Sequence, residues 1–423
     1  MYKKTVLKNG LRVITAPMEG TKTATVFVVI GTGSRCETKE INGISHFLEH
    51  LFFKGTKNRH TALAISEELE KVGADFNAFT SKECTGFYVK VPIFHLDVAM
   101  DVISDMLFNS LFIPEEIERE RGTIQEEIKM VKDDPPRYVA DLFETLLYGN
   151  TPIGWETIGT KKTVRKISRN QIIEYFQNHY VAKNATVVVA GAIENSEALK
   201  KIKRYFNNFN GKEKRGKIKT IEFQDKPEIL IYHKATDQVH ISLGVRGYNI
   251  NHPDRYALNL LSVILGGGMS SRLFISVRGR RGLAYYIFSN AEFYTDTGYY
   301  TSQAGINIKN AGKTIKLILS EYKKIVAKGV TKEELKKVKD QIKSRTVMSL
   351  ESSSAMANFF ADQEILEGKI FTPEEKFALL DKVKVSDIQR VAKDIFKNEK
   401  LNLALIGPFN EKDKEKLEKI LKF

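Results

Sequence analysis

The two halves of this 423-residue chain follow the same order of patterns at an offset of about 218 residues, which narrows the possible folds more than any other feature. The offset sets Ser168-Arg-Asn-Gln on Ser386-Asp-Ile-Gln, Asn184 on Asn402, and Pro114-Glu-Glu-Ile beside Lys332-Glu-Glu-Leu. At a shift of 216 the apolar run 23–30 falls on 239–246. Several short matches near one offset imply two copies of one domain. The length agrees, because a chain this long exceeds a single typical core.

Within each copy the patterning is α+β. Residues 6–7 and 11–16, joined at Asn9-Gly10, predict a hairpin, and 23–30 a buried strand. A helix is expected over 61–72, paired strands over 74–80 and 85–91, and helices over 94–107 and 138–147. A loop rich in Gly and Pro covers 149–159, followed by a capped helix from Ser168 and a buried strand over 185–190. Apolar periodicity lapses around Lys212-Glu-Lys-Arg-Gly-Lys-Ile-Lys, between glycines at mid-chain. The expected division is therefore a domain over 1–210, a basic linker over 211–221 and a homologous domain over 222–423.

The net charge of +14 raises the question of nucleic acid. Runs such as Glu411-Lys-Asp-Lys-Glu-Lys mix both signs, as solvated helix faces do, so no nucleic-acid partner is expected. Cys36 and Cys84 lack Cys-x-x-Cys spacing and are expected to be small core hydrophobes. Residues 1–15 hold no apolar run of signal-peptide length, and no stretch reaches the ~20 apolar residues of a membrane helix. The expectation is a soluble, cytoplasmic protein with no membrane partner.

The chemistry centres on His46-Phe-Leu-Glu-His50. On a helix made apolar by Phe47, Leu48, Leu51 and Phe52, His46 and His50 stand one turn apart on one face and can share a metal ion. Glu49 flanks that ion without having to be a ligand, where a general base for an attacking water belongs. The order His-x-x-Glu-His is the inverse of the commoner zinc motif. Further on, Pro114 and the acidic residues after it open a second helix, with Ile117, Ile124, Ile128 and Val131 at helical spacing. Glu120 and Glu127 share one face of it. Neither glutamate would stand out alone, since exposed Glu on a charged helix is the rule.

Together these residues resemble the pitrilysin or insulysin-type (inverzincin) zinc metallopeptidases, which include the mitochondrial processing peptidase and small bacterial relatives. That family pairs the inverted motif with a glutamate ligand 76 residues further on, and residues 51–126 between His50 and Glu127 number 76. The resemblance covers nearly the whole chain. It implies two α+β domains, each a mostly antiparallel sheet backed by helices, with one Zn2+ per chain on His46, His50 and Glu127, Glu49 as catalytic base, and Glu120 orienting a ligating imidazole. The repeat carries His46, Glu49, His50 and Glu127 onto Ile264, Gly267, Gly268 and Arg345, so only the first domain would hold metal.

The resemblance further implies that the strand containing Asn77 and Ala78 pairs its backbone with an extended substrate. From the second domain, Arg278 and Tyr285, seven residues apart, would hold substrate across the cleft. A plain reading of that run is a basic loop leading into a strand, with Tyr285 an ordinary strand aromatic. Gly266-Gly-Gly fits no phosphate-loop spacing and is expected to end a helix. One departure is Thr151-Pro-Ile-Gly154, where relatives often have His-Pro-Leu-Gly. The function implied is a zinc endopeptidase cutting unfolded peptides or presequence-like segments inside a chamber closed by a homodimer. The alternative is a non-catalytic partner subunit of a heteromeric processing peptidase. Such subunits typically lose metal ligands, and all are present here.

Overall fold

The computed structural model describes residues 2–209 and 216–423. Strands β1 (Lys3–Val6), β2 (Arg12–Pro17) and β3 (Thr23–Ile30) lead to helices α1 (Ile44–Leu51) and α2 (Ala62–Lys71). Strands β4 (Asp75–Thr80) and β5 (Thr85–Pro92) follow, then helices α3 (Leu96–Asn109), α4 (Pro114–Asp133), α5 (Pro135–Tyr148), α6 (Lys161–Lys166) and α7 (Arg169–His179). Strand β6 (Ala185–Gly191) and helix α8 (Asn195–Phe206) end the first half. The second half runs β7 (Glu228–His233), β8 (Gln238–Arg246), α9 (Arg255–Gly266), β9 (Ala284–Phe293), β10 (Gly298–Asn307), α10 (Ala311–Lys328) and α11 (Lys332–Ser349). It closes with α12 (Ser353–Asp362), α13 (Pro373–Lys382), α14 (Val385–Ile395), β11 (Asn402–Gly407) and α15 (Glu411–Ile420).

The strands form two sheets, ordered β1-β2-β6-β3-β5-β4 and β7-β11-β8-β10-β9. In each, one pair is parallel (β2 with β6, β7 with β11) and the rest antiparallel, as the resemblance implies. The duplicated order is visible in space: β2, β6, β3, β5 and β4 correspond to β7, β11, β8, β10 and β9. Helices α6 and α8 went unpredicted from the sequence; α6 is only six residues long, and α8 shows its apolar face in just Ala198, Ile202 and Phe206 among several lysines.

The chain divides into two compact units that do not coincide with its two halves. The first comprises Met1–Lys129, Trp155–Ile218 and Val347–Ile370; the second comprises Met130–Gly154, Lys219–Thr346 and Phe371–Phe423. A cut at 211–221 thus follows the duplication in sequence but not the compact bodies, and residues 210–215 of that linker lie outside the described residues. The difference has a physical cause. Strands β3 and β6 are buried along almost their whole length, so both faces of the first sheet need cover. Helix α12 supplies it, with Ala357, Phe360 and Ala361 packed on Ile14, Phe27, Val29, Val188 and Ala190. In the second unit α5 packs on β7, β8 and β11. The repeat offset carries α5 onto α12, so the two copies have exchanged equivalent helices.

Both cysteines are free thiols: Cys84 is buried as expected, and burial pushes its thiol up to about 12, whereas Cys36 is only partly buried. Among the described residues no helix is long and apolar enough to cross a membrane.

Candidate metal centre

Helix α1 forms because Ile44, Phe47, Leu48 and Leu51 bury one face, and its start is fixed from outside the helix. Gly43 precedes it at φ +98°, a left-handed conformation that favours glycine, and an added Cβ would meet the Ile158 carbonyl oxygen at 2.7 Å. A glycine has no side chain to cap with. The buried carboxylate of Glu37 does so instead: Oε2 accepts from the Gly43 N–H at 2.8 Å and Asn42 Nδ2 at 2.9 Å, and Oε1 from the Ser45 N–H at 2.9 Å. Full burial raises Glu37 to about 7 despite these three donors. The Ser45 hydroxyl lies 2.9 Å from the Tyr175 hydroxyl, which ties the same turn to α7.

His46 and His50 leave α1 on one side, and Glu127 arrives from α4. Ligand atoms of the three all lie within 4.8 Å of one another. Glu127 Oε2 is 3.5 Å from His46 Nε2 and 3.6 Å from His50 Nε2, longer than ordinary hydrogen bonds. A tetrahedron with metal bonds of about 2.1 Å has edges of ~3.4 Å, so Glu127 stands at a ligand-to-ligand distance from each imidazole, and all three are close enough to converge on one ion. Two imidazole nitrogens and one carboxylate oxygen are a donor set that zinc accepts with a fourth position open. The residues present therefore fit the metal.

Glu120, one heptad before Glu127, is 4% exposed. Its Oε2 lies 3.0 Å from His50 Nδ1 and its Oε1 accepts from Lys54 Nζ at 2.8 Å. Burial would raise this carboxylate, but His50 and Lys54 outweigh it and hold it below the usual range. An ionised Glu120 keeps the ring proton on Nδ1 and turns Nε2 toward Glu127. Burial alone would lower the His50 imidazole, yet the bonds to Glu120 and Glu127, with the charges of Glu49 and Glu120, bring it up to about 9.

Glu49 stands beside the three ligands with its carboxylate raised, chiefly by burial, against the opposing bond from Thr80. Thr80 Oγ1 donates to Glu49 Oε2 at 2.6 Å. Thr80 ends β4, the strand that carries Asn77 and Ala78. Among the described residues that strand pairs with β5 alone, which makes it the edge of the first sheet. Asn77 is exposed, and its Oδ1 accepts from the Ala78 N–H at 2.8 Å.

The remaining predicted residues belong to the second unit. Arg278 is exposed and lies over the Phe274 ring at 5.1 Å; Tyr285 is 57% exposed near the start of β9. Gly266 ends α9, as expected of a glycine turn. In place of the ligands, Arg345 Nη1 and Gln341 Nε2 donate to the Gly267 carbonyl at 3.3 and 3.4 Å. Glu37 and Thr80 escaped the sequence reading because neither has a periodic or spaced relation to the motif it serves.

A sheet-and-helix unit presenting His-x-x-Glu-His on one helix, with a glutamate converging from another, is the arrangement the sequence resemblance implies. Comparison with known proteins agrees. Residues 12–161 match the family described as Insulinase (Peptidase family M16), and residues 166–342 match the Peptidase M16 inactive domain. The uncharacterized zinc protease YmxG of Bacillus subtilis is 37% identical over 96% of this chain and 98% of its own length. An uncharacterized zinc protease of Streptomyces coelicolor is 33% identical over 98% of this chain and 91% of its own. Among solved structures, a protease from Helicobacter pylori superposes with a TM-score of 0.90 at 26% identity, covering 96% of this chain and 99% of that one. The chain belongs to the M16 peptidase family.

Proposed function

We propose that the chain is a zinc-dependent endopeptidase that hydrolyses unfolded peptides or presequence-like segments, with one Zn2+ per chain. The observation that carries this reading is the convergence of His46, His50 and Glu127 with Glu49 beside them and Glu120 behind His50. A zinc ion held by these ligands supplies Lewis acidity toward the scissile carbonyl and makes water a usable nucleophile near neutral pH. Glu49 takes the proton from the attacking water and passes it to the departing amine nitrogen. Glu120 keeps His50 in one tautomer throughout. The free edge of β4 binds the substrate backbone as an added strand, and the Asn77 side chain contributes a polar contact.

We assign to Arg278 and Tyr285 a substrate-holding role, on the strength of their spacing and exposure. Arg278→Ala and Tyr285→Phe should then lower kcat/KM at least ~10-fold with zinc retained; unchanged kinetics would withdraw the assignment. We further assign a homodimer that admits unfolded chains and excludes folded ones.

The test is incubation of the purified chain with an unstructured basic peptide library, with and without a chelator, read by mass spectrometry. Internal cleavage that stops with chelator and returns with zinc is expected. Intact peptides in every arm would contradict the reading.

A further inference from the structure

Most buried side-chain hydroxyls are hydrogen-bonded, and facing threonines in a sheet can bond each other across the ladder. Thr80 faces Thr85 in the β4–β5 register, yet the two do not pair. The Thr85 hydroxyl donates to the Thr32 carbonyl at 2.8 Å, and Thr80 reaches out of the sheet to the Glu49 carboxylate on α1. At 2.6 Å the Thr80 bond falls in the short range of a hydroxyl on an ionised carboxylate. Among the described residues it is the one hydrogen bond of the Glu49 side chain, leaving Oε1 for a proton in transit.

From this geometry we infer that Thr80 is a positioning residue for the proton carrier: its hydroxyl locks the Glu49 carboxylate to the strand that receives the substrate. The inference rests on the peptidase reading above and deepens it. A glutamate side chain has three rotatable bonds, and a general base displaced by about 1 Å can lose on the order of 100-fold in rate. Anchoring Oε2 on the strand removes most of that freedom. It also makes the strand and the base one mechanical unit, because a peptide added to the free edge of β4 stiffens the backbone that carries Thr80. Thr80 itself lies at the end of the strand and bonds the carboxylate, so the reacting peptide is not its partner.

The test compares wild type, Thr80→Val, Thr80→Ser, Glu49→Gln and the Thr80→Val/Glu49→Gln double variant, measuring zinc per chain, thermal midpoint, KM and kcat on one unstructured peptide. Valine keeps the shape of threonine without the hydroxyl; Thr80→Ala provides a second variant if valine does not fold. The expected result is zinc and midpoint as in wild type, KM within about 2-fold, and kcat lowered at least ~10-fold, with Thr80→Ser restoring most of it. In the Glu49→Gln background the same substitution should cost no more than about 2-fold, since the group it positions is gone. Unchanged kcat in Thr80→Val and Thr80→Ala, with Glu49→Gln inactive, overturns this inference and leaves the peptidase reading standing. Equal losses in both backgrounds overturn it too. Full turnover in Glu49→Gln overturns the peptidase reading and this inference with it.

Discussion

At the residue scale, the carboxylates around His50 favour its protonated form. His50 is raised from its ordinary value to about 9, with burial opposing and Glu120 and Glu127 prevailing. A raised imidazole stabilises the fold fully below its unfolded value and loses that contribution as pH rises through about 9. The thermal midpoint of metal-free protein should therefore fall between pH 7 and 9, and Glu120→Gln should flatten that fall. Zinc must displace the same proton, so its apparent affinity should weaken by up to about 10-fold per pH unit below pH 9. Calorimetry in buffers of different ionisation enthalpy reads the proton released. Zinc binding with no proton release at pH 7.5 would contradict this arrangement. The ligands were legible because helical spacing brings His46 and His50 together and the resemblance supplies Glu127. Thr80 was not, because a strand hydroxyl bonding a helix carboxylate leaves no spacing to read.

At the scale of the element, α1 depends on a carboxylate that is not part of it. Glu37 satisfies the N–H groups at the helix start that Gly43 cannot, and those are the turns that aim His46 and His50. Glu37→Ala should destabilise the fold by about 1–3 kcal/mol, the cost of unsatisfied buried donors, and weaken zinc binding. The folded pKa of about 7 lies above the unfolded value, so the unfolded chain binds fewer protons between about 4.5 and 7. Stability from this group therefore falls as pH rises through that window, and Glu37→Gln should remove the slope. Urea midpoints of metal-free protein from pH 5 to 7.5 measure it; identical slopes in both proteins would contradict the assignment. Strand and helix types were largely legible from periodicity, as in the continuous apolar run of β3, which reads as a buried strand. Which helix covers the second face was not, because α12 follows the first half by some 150 residues of chain and no local pattern ties it to the first sheet.

On the scale of the whole molecule, duplication and folding units differ by the exchange of two helices, α5 and α12. Residues 1–210 expressed alone would lack α12 and expose Ile14, Phe27, Val29, Val188 and Ala190 to water. That fragment should bind a hydrophobic dye and melt well below the intact chain, and a peptide spanning residues 347–370 should reverse both. A cooperative, dye-silent fragment would contradict the exchange. For the proposed homodimer, solution scattering should return a mass near twice 48.0 kDa, and an active monomer would dismiss the closed chamber.

The central claim is that the helix bearing His-x-x-Glu-His and the glutamate from α4 form a working zinc peptidase site, with ligation and proton transfer on separate residues. The most direct measurement is zinc per chain by elemental analysis together with turnover of one unstructured peptide, on matched preparations of wild type and Glu49→Gln. The account predicts about one zinc in both and a loss of turnover of roughly 100-fold or more in the variant. Zinc lost together with activity would make Glu49 a ligand, and turnover retained at full zinc would leave the site without its proton carrier; either result contradicts the account.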